Sequence, residues 1–242
     1  MPEIAPDRPV FAIGDVHGRA DLLIALLERI LEDSADLSAP PEVVFLGDYV
    51  DRGENSRDTL ELLSTVSAWP EIDPVFLMGN HEQMLLRFLD APEEGQRWFR
   101  VGGLQTLLSY GVGAYEGMQD PDELAQVRDE LAEALGAHQD FIEDLRLCHL
   151  NGNVFFTHAG ADPALAPAAQ DPRALLWGHP EFARMPRGDG LWVVHGHTVV
   201  EAPSVEGGRI ALDTGAYFSG RLTAARLEPG RIRFLNSGPD AG

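Results

Sequence analysis

Five short clusters in this sequence carry the residue types that bind metal ions and phosphate. Each cluster follows a short apolar run or ends one, and each combines glycine with histidine, aspartate or asparagine. The clusters are Gly14-Asp15-Val16-His17-Gly18, Gly47-Asp48-Tyr49-Val50-Asp51-Arg52-Gly53, Gly79-Asn80-His81-Glu82, Thr157-His158-Ala159-Gly160 and His195-Gly196-His197-Thr198. Ligands of open α/β sheets bind at the carboxyl ends of the strands, so we expect the five clusters to meet in space.

The donor atoms that these clusters offer are carboxylate, amide and imidazole atoms, without a thiolate. Such a set suits Mn²⁺, Fe or Zn²⁺. From this set of donors, we infer a two-metal centre.

In this order, the clusters resemble the motifs of the calcineurin-like metallophosphoesterase superfamily, and specifically of its phosphoprotein phosphatase branch. The resemblance runs from Gly14 to Thr198 and continues through residues 211–216. It implies an α/β fold, a four-layer αββα sandwich of two mixed sheets flanked by helices, with a helical insert near residues 91–144. It also implies two divalent metal ions, with Mn²⁺ as the first choice and Fe or Zn as alternatives.

The resemblance further implies a role for each motif residue. Six residues would hold the metals: Asp15 and His17 the first, Asp48 both, and Asn80, His158 and His197 the second. Three would act on the substrate: Arg52 would clamp the phosphate, His81 would protonate the leaving oxygen, and Asp51 would orient His81.

These residue types suit the hydrolysis of a phosphoester. Two cations polarise the phosphoryl oxygens and lower the pKa of a water between them, so that hydroxide attacks phosphorus directly. A general acid adds roughly 10²–10⁴ in rate when the leaving group is a basic alkoxide, and a histidine beside a carboxylate can serve. The planar guanidinium of Arg52 matches phosphate oxygens.

The resemblance also implies a second phosphate-binding arginine between the fourth and fifth clusters, where this chain has histidine instead. His179 could bind phosphate when protonated, and Arg184 could fold back to it. Arg173 and Arg187 are further candidates. Glu82 is interpreted as an acid of a first helical turn, where the helix dipole favours it, rather than as a ligand.

Alternating strand and helix patterns surround the clusters. Three apolar runs at Pro9–Ile13, Val43–Leu46 and Pro74–Met78 each precede a helical stretch, which predicts βα units and a mostly parallel sheet. Asp120 and Pro121 predict the start of a helix over Pro121–Leu135. The strand-like segments 209–213, 221–227 and 231–235 resemble an antiparallel meander. The aromatic residues of the insert, including Trp98, are expected to pack its helices rather than to line a cleft.

Composition narrows the function classes. All 18 basic residues are arginine, so mechanisms that need a catalytic lysine or a Walker A lysine are excluded. The net charge of −21 opposes binding to nucleic acid and to anionic lipid.

The chain shows neither a secretory leader nor an apolar span, which predicts a cytoplasmic protein, and its 242 residues are expected to form one domain. The one cysteine, Cys148, lies in what we interpret as a buried strand.

Three function classes remain. The leading hypothesis is a serine/threonine protein phosphatase that acts on a phosphoprotein or a small phosphoester. A symmetrical bis(5′-nucleosyl)-tetraphosphatase is the alternative, and the presence of Asp51 favours the phosphatase because such hydrolases typically lack that aspartate. A non-catalytic metal-binding scaffold would have lost ligands, and all six are present.

Overall fold

Strands and helices alternate along the chain in the computed structural model, which describes residues 2–238. The strands in that range are β1 (Val10–Ile13), β2 (Glu42–Phe45), β3 (Asp73–Phe76), β4 (Cys148–Asn151), β5 (Val154–Thr157), β6 (Trp192–His195), β7 (Ser204–Glu206), β8 (Arg209–Ala211), β9 (Thr223–Glu228) and β10 (Arg231–Asn236). The helices are α1 (Ala20–Asp33), α2 (Ser56–Val66), α3 (Asn80–Asp90), α4 (Gly95–Trp98), α5 (Leu104–Ser109), α6 (Pro121–Leu135), α7 (Ala137–Glu143), α8 (Pro172–Trp177) and α9 (Ala216–Ser219). Short helical turns lie at Pro92–Glu94, Phe99–Gly103 and Pro167–Ala169.

Two five-stranded mixed sheets form the centre of the molecule. The first has the order β10-β9-β1-β2-β3, in which β1, β2 and β3 are parallel and β9 runs antiparallel to β1 and to β10. The second has the order β4-β5-β6-β8-β7, with β5, β6 and β8 parallel. The three βα units predicted from the sequence are confirmed.

Successive side chains along a strand point to opposite faces of the sheet and therefore pack in different layers. In β1, Val10 and Ala12 join an apolar core that also includes Val44, Val154 and Val194, so this core lies between the two sheets. Phe11 and Ile13 point to the other face and pack with helices, in a cluster that contains α1 and α2 residues. Residues of β5 and β6 on the far face pack against the segment around α8. The predicted αββα layering is confirmed.

The helical insert follows α3 and packs back on it. Asp120 accepts hydrogen bonds from the backbone N–H groups of Asp122 and Glu123, and Pro121 begins α6, as the sequence predicts. Leu124, Val127, Leu131 and Leu135 form the buried face of that helix.

Two predictions about strands are wrong. The segments 209–213, 221–227 and 231–235 do not form one meander, because β8 belongs to the second sheet while β9 and β10 form a hairpin in the first. Periodicity alone cannot tell which sheet a short buried strand joins. Cys148 is only half-buried, because β4 is an edge strand that pairs with β5 alone.

None of the helices within residues 2–238 is both long and apolar enough to cross a membrane. The cytoplasmic location stays a prediction.

Candidate metal centre

The five polar clusters converge where β1, β2, β3, β5 and β6 end. The first three clusters follow the parallel strands of one sheet, and the other two follow neighbouring strands of the second sheet. Side chains from the two sheets touch: the Oδ1 atom of Asn80 lies 2.9 Å from Nε2 of His158 and 2.8 Å from Nδ1 of His197. Three of the six predicted metal ligands, Asn80, His158 and His197, are therefore close neighbours.

The backbone at this place is held in an unusual conformation. Among residues 2–238, the non-glycine residues with positive φ are His17, Asp48, Asp51, Arg52 and His197. All five belong to the clusters. The left-handed region costs roughly 1–2 kcal/mol per non-glycine residue, so the surrounding fold must enforce it. This conformation lets neighbouring loop residues direct their side chains toward the same site.

Asp48 lies at the centre of the cluster. Its Oδ2 atom is 3.5 Å from Nε2 of His17, and its Oδ1 atom is 3.4 Å from Nε2 of His158. Its Oδ1 atom also accepts a hydrogen bond of 3.0 Å from the backbone N–H of His81. Burial raises the pKa of Asp48, but His158 and His81 outweigh burial and hold the pKa well below its usual range. The carboxylate is therefore ionised and shared among several imidazoles.

His17 presents an unused nitrogen to this centre. Its Nδ1 atom lies 2.9 Å from the carbonyl oxygen of Val50, which fixes the ring, while its buried Nε2 atom has no hydrogen-bond partner in the described structure. Burial lowers the pKa of His17 to about 3, so the ring is neutral. A neutral imidazole with a free, buried nitrogen is the form that binds a metal ion.

His158 and His197 face Asn80 from the second sheet. The Nδ1 atom of His158 lies 2.9 Å from the carbonyl oxygen of Leu46, which aims Nε2 at the cluster. Burial lowers the pKa of His158, but Asp48 outweighs burial and raises the pKa to about 10. Burial and the charge of His158 together lower the pKa of His197 to about 4.

Asp15 lies against the fifth cluster, and its neighbour Asp213 was not identified from the sequence. Both carboxylate oxygens of Asp15 accept from the backbone N–H of His197, at 3.1 and 3.0 Å. A Cβ atom on Gly196 would collide with Oδ1 of Asp15, so only glycine allows this approach. Burial and the nearby charge of Asp213 raise the pKa of Asp15. Asp213 is itself buried, and its Oδ2 atom has no partner in the described structure. Its position directly after a strand run is the signal that could have identified it.

These donors fit a pair of divalent cations. Two groups of side chains have ligand atoms within 4.8 Å of one another, namely His17, Asp48 and His81, and Asp48, His158 and His197. Asp48 belongs to both groups, and its role as a ligand of both metals stays a prediction. The first group contains His81, which we expected as an acid, and Asp15 is in neither. A cation at this point would offset the repulsion between the carboxylates of Asp15, Asp48 and Asp213, and it would give the unpaired nitrogen of His17 a partner.

His81 and Asp51 form a hydrogen-bonded pair. The Nδ1 atom of His81 lies 2.6 Å from Oδ2 of Asp51, which also accepts from Nε1 of Trp98 at 2.8 Å. The Oγ1 atom of Thr106 donates to Oδ1 of Asp51 at 2.6 Å. Burial lowers the pKa of His81, but Asp48 and Asp51 outweigh burial and raise it. Trp98 packs the insert as expected and in addition fixes this pair.

Arg52 lies beside the His81 ring of that buried pair. Its Nη2 atom is 3.3 Å from Nε2 of His81, and its guanidinium lies 5.0 Å from the ring centre of Tyr217. The side chain is half-buried, so its donors can reach an anion above the cluster.

The residues predicted to supply a second phosphate-binding cation make other contacts in the structure. Nε2 of His179 is 3.7 Å from a carboxylate oxygen of Asp162, and the 75% exposed side chain of Arg184 faces Glu181. Arg187 is buried and donates to the carbonyl oxygens of Asp162 and Leu165. Within residues 2–238, no recorded contact joins His179 or Arg184 to the metal cluster, so their phosphate-binding role stays a prediction.

Glu82 positions the second cluster. Its Oε2 atom accepts from the backbone N–H groups of Asp48 at 2.8 Å and Gly79 at 2.9 Å. Its Oε1 atom accepts from Tyr49 at 2.7 Å and Val50 at 3.2 Å. It lies in the first turn of α3, as predicted, but its carboxylate also holds the strained loop that carries Asp48. A sequence motif does not show which backbone donors a buried carboxylate will meet.

Comparison with known proteins agrees with this geometry. A model of the calcineurin-like phosphoesterase family matches residues 8–201. An asymmetrical bis(5′-nucleosyl)-tetraphosphatase, PrpE, of Halalkalibacterium halodurans is 28% identical over 234 residues, which cover 89% of this chain and 88% of the relative. Serine/threonine-protein phosphatase 2 of Salmonella typhimurium is 25% identical over 232 residues, which cover 91% of this chain and 94% of the relative.

Solved structures share the fold. A protein serine/threonine phosphatase of Saccharomyces cerevisiae superposes with a TM-score of 0.57 at 18% identity, over 97% of this chain and 82% of its own. A cold-active protein-tyrosine phosphatase of a psychrophilic Shewanella species gives a TM-score of 0.56 at 17% identity, over 98% and 83% of the two chains.

Proposed function

Because the chain belongs to the calcineurin-like phosphoesterase family, we propose that it is a phosphoric ester hydrolase that works with two divalent cations. The observation that carries the proposal is the position of Asp48, whose carboxylate belongs to both candidate ligand groups. The apolar core shared by the two sheets supports one catalytic domain.

The residues that would hold the cations are those of the five clusters. We propose Asp15 and His17 for one, Asn80, His158 and His197 for the other, and Asp48 for both, with manganese as the expected metal. When bound, the cations polarise the phosphoryl oxygens and make hydroxide available near neutral pH. Val50 and Leu46 fix the rings of His17 and His158 through their carbonyl oxygens, so that each presents its Nε2 atom to the centre.

Arg52, His81 and Asp51 would act on the substrate. Arg52 would bind phosphoryl oxygens through its fork of N–H donors. His81, held protonated by Asp51, would donate from Nε2 to the leaving oxygen. The 2.6 Å contact between His81 and Asp51, and the Trp98 donor on the same carboxylate, support this orientation.

We propose phosphomonoesters with an alkoxide leaving group, such as phosphoserine and phosphothreonine in a protein, as the first substrate class. The buried acid pair supports this class because an alkoxide needs a proton to leave. The similarity to the Salmonella phosphatase agrees with it.

Dinucleoside tetraphosphates are the second candidate class. Several relatives are named as asymmetrical hydrolases of such compounds, whereas the sequence motifs suggested the symmetrical class. The exposed arginines Arg87, Arg97 and Arg173, which line one cavity near the metal cluster, specifically favour a substrate with several phosphates.

A side-by-side assay tests these proposals. The manganese-supplemented enzyme is offered a phosphothreonine peptide, diadenosine tetraphosphate and p-nitrophenyl phosphate, and the products are separated by chromatography. The first class predicts the highest kcat/KM for the peptide. The second predicts it for the dinucleotide, with AMP and ATP as products rather than two ADP. Absence of turnover of all three with any of manganese, iron or zinc would contradict the hydrolase proposal.

A further inference from the structure

Beside the metal cluster lies a cavity of about 670 Å³ whose lining residues are not among the proposed metal ligands or catalytic residues. We call it the arginine groove, after Arg87 of α3, Arg97 of α4 and Arg173 of α8. Gln83, Asp171 and Trp177 also line this groove. Three arginines and one aspartate give this wall a formal charge of +2 in a chain whose net charge is −21.

The three groove arginines have no acidic partner within the part of the chain that the structure describes. The chain has 39 acidic residues for 18 arginines, and arginines such as Arg19, Arg128 and Arg226 form ion pairs. Within residues 2–238, no ion pair is recorded for Arg87, Arg97 or Arg173, and all three are exposed. The Asp171 carboxylate accepts from the backbone N–H of Arg173 at 2.9 Å and so caps α8.

The inner wall of the groove is continuous with the metal cluster. The Nε1 atom of Trp177 donates to Oε1 of Gln83 at 2.8 Å, and Gln83 follows His81 by two residues on α3. The ring centres of Trp177 and His197 are 6.5 Å apart. The guanidinium of Arg97 lies 4.7 Å from the ring centre of Trp177, which holds that cation at the inner end of the groove.

We propose that the arginine groove is an anion subsite that holds the phosphates distal to the one being cleaved. The inference rests on the second candidate substrate class, because a simple monoester has no phosphate left to reach the groove. Guanidinium groups bind phosphate oxygens through paired N–H donors. Three such groups from three helices surround one cavity, which fits a compact polyphosphate chain better than an extended acidic peptide.

A binding measurement tests the subsite without turnover. Calorimetry on the manganese-loaded enzyme compares adenosine 5′-(β,γ-methylene)triphosphate with orthophosphate. We expect the nucleotide analogue to bind at least about tenfold more tightly, and Arg97→Ala or Arg87→Ala each to remove about tenfold, the effect of one charge-assisted contact. Arg231→Ala is the matched control, because it removes one exposed arginine from the edge strand β10 of the first sheet.

Kinetics separate failure of the subsite from failure of the substrate assignment. In the two groove variants, we expect KM for diadenosine tetraphosphate to rise about tenfold while kcat/KM for p-nitrophenyl phosphate stays within about twofold. An unchanged KM in both variants, or an equal loss for the two substrates, would overturn the subsite. Arginine-dependent binding of the analogue without dinucleotide hydrolysis would support the subsite and reject the dinucleotide as substrate. A loss for the phosphothreonine peptide alone would overturn the polyphosphate assignment.

Discussion

At the scale of single residues, the centre combines a strained backbone with buried side-chain atoms that lack a hydrogen-bond partner in the described structure. His17 keeps one nitrogen free of any partner in the described structure, and Asp48 receives contacts from imidazoles on both sides. Leaving a buried polar atom unpaired costs about 1–3 kcal/mol, and each left-handed residue costs a comparable amount. These are costs that a bound cation can offset.

Substitutions at Arg52 separate the cost of its backbone conformation from the function of its side chain. Its φ of 67° lies in the left-handed region, which glycine adopts freely and alanine does not. Both Arg52→Gly and Arg52→Ala should weaken phosphate binding and raise KM. Chemical denaturation should find the glycine variant more stable than the alanine variant by about 1 kcal/mol. A less stable glycine variant would show that this loop carries no such strain.

The acid role of His81 predicts a dependence on the leaving group. His81→Ala should lower kcat for a phosphoserine peptide by roughly 10²–10⁴, and much less for p-nitrophenyl phosphate, whose leaving group needs no proton. Because His81 also lies in a candidate ligand group, the manganese content of the variant is the control. Equal losses for both substrates, or loss of metal, would argue against the acid role.

At the scale of elements, the ends of the strands could be predicted from the sequence, but the sheet that each strand joins and the contacts of the loops could not. The glycine-terminated apolar runs before Asp15, Asp48 and Asn80 located three parallel strands and their polar ends, because both signals are local. Assignment of β8 to the second sheet depends on long-range pairing, which no local pattern encodes. The contacts of Glu82 with Asp48 and of Trp98 with Asp51 could not be predicted for the same reason, since each joins residues more than 30 positions apart.

Glu42, at the start of β2, links the two sheets at the end away from the centre. It accepts from Asn151 of β4 at 2.7 Å and from Arg8 at 2.8 Å, and lies 3.1 Å from Nε2 of His149. Burial raises its pKa, but His149, Arg8 and Asn151 outweigh burial and lower it to about 2.

A depressed folded-state pKa sets the pH range in which Glu42 stabilises the fold. Its contribution is fully present above the unfolded pKa, near 4.5, and is lost as the pH falls toward 2. Glu42→Gln should therefore lower the free energy of unfolding by about 2 kcal/mol at pH 7, and by progressively less below pH 4.5. Urea denaturation at several pH values measures both. A difference that is constant with pH would contradict the assignment.

At the scale of the whole molecule, the chain and its proposed substrate are both negatively charged. The net charge of −21 repels a phosphate dianion at long range, while cations and arginines attract it only near the centre. Salt screens the long-range repulsion, with a Debye length of about 10 Å at 0.1 M. We expect kcat/KM for p-nitrophenyl phosphate to stay constant or rise between roughly 20 and 200 mM NaCl. A severalfold fall would mean that attraction dominates the approach.

The number of metal ions bound through Asp48 tests the account most directly. Wild-type protein and the Asp48→Asn variant are loaded with manganese, desalted and analysed by elemental mass spectrometry, with circular dichroism as the control for folding. Since Asp48 belongs to both ligand groups, we predict about two manganese ions per wild-type chain. The folded variant should retain fewer than about one and lose p-nitrophenyl phosphate turnover. A folded variant that keeps both ions, or near-normal turnover, would contradict the two-metal centre.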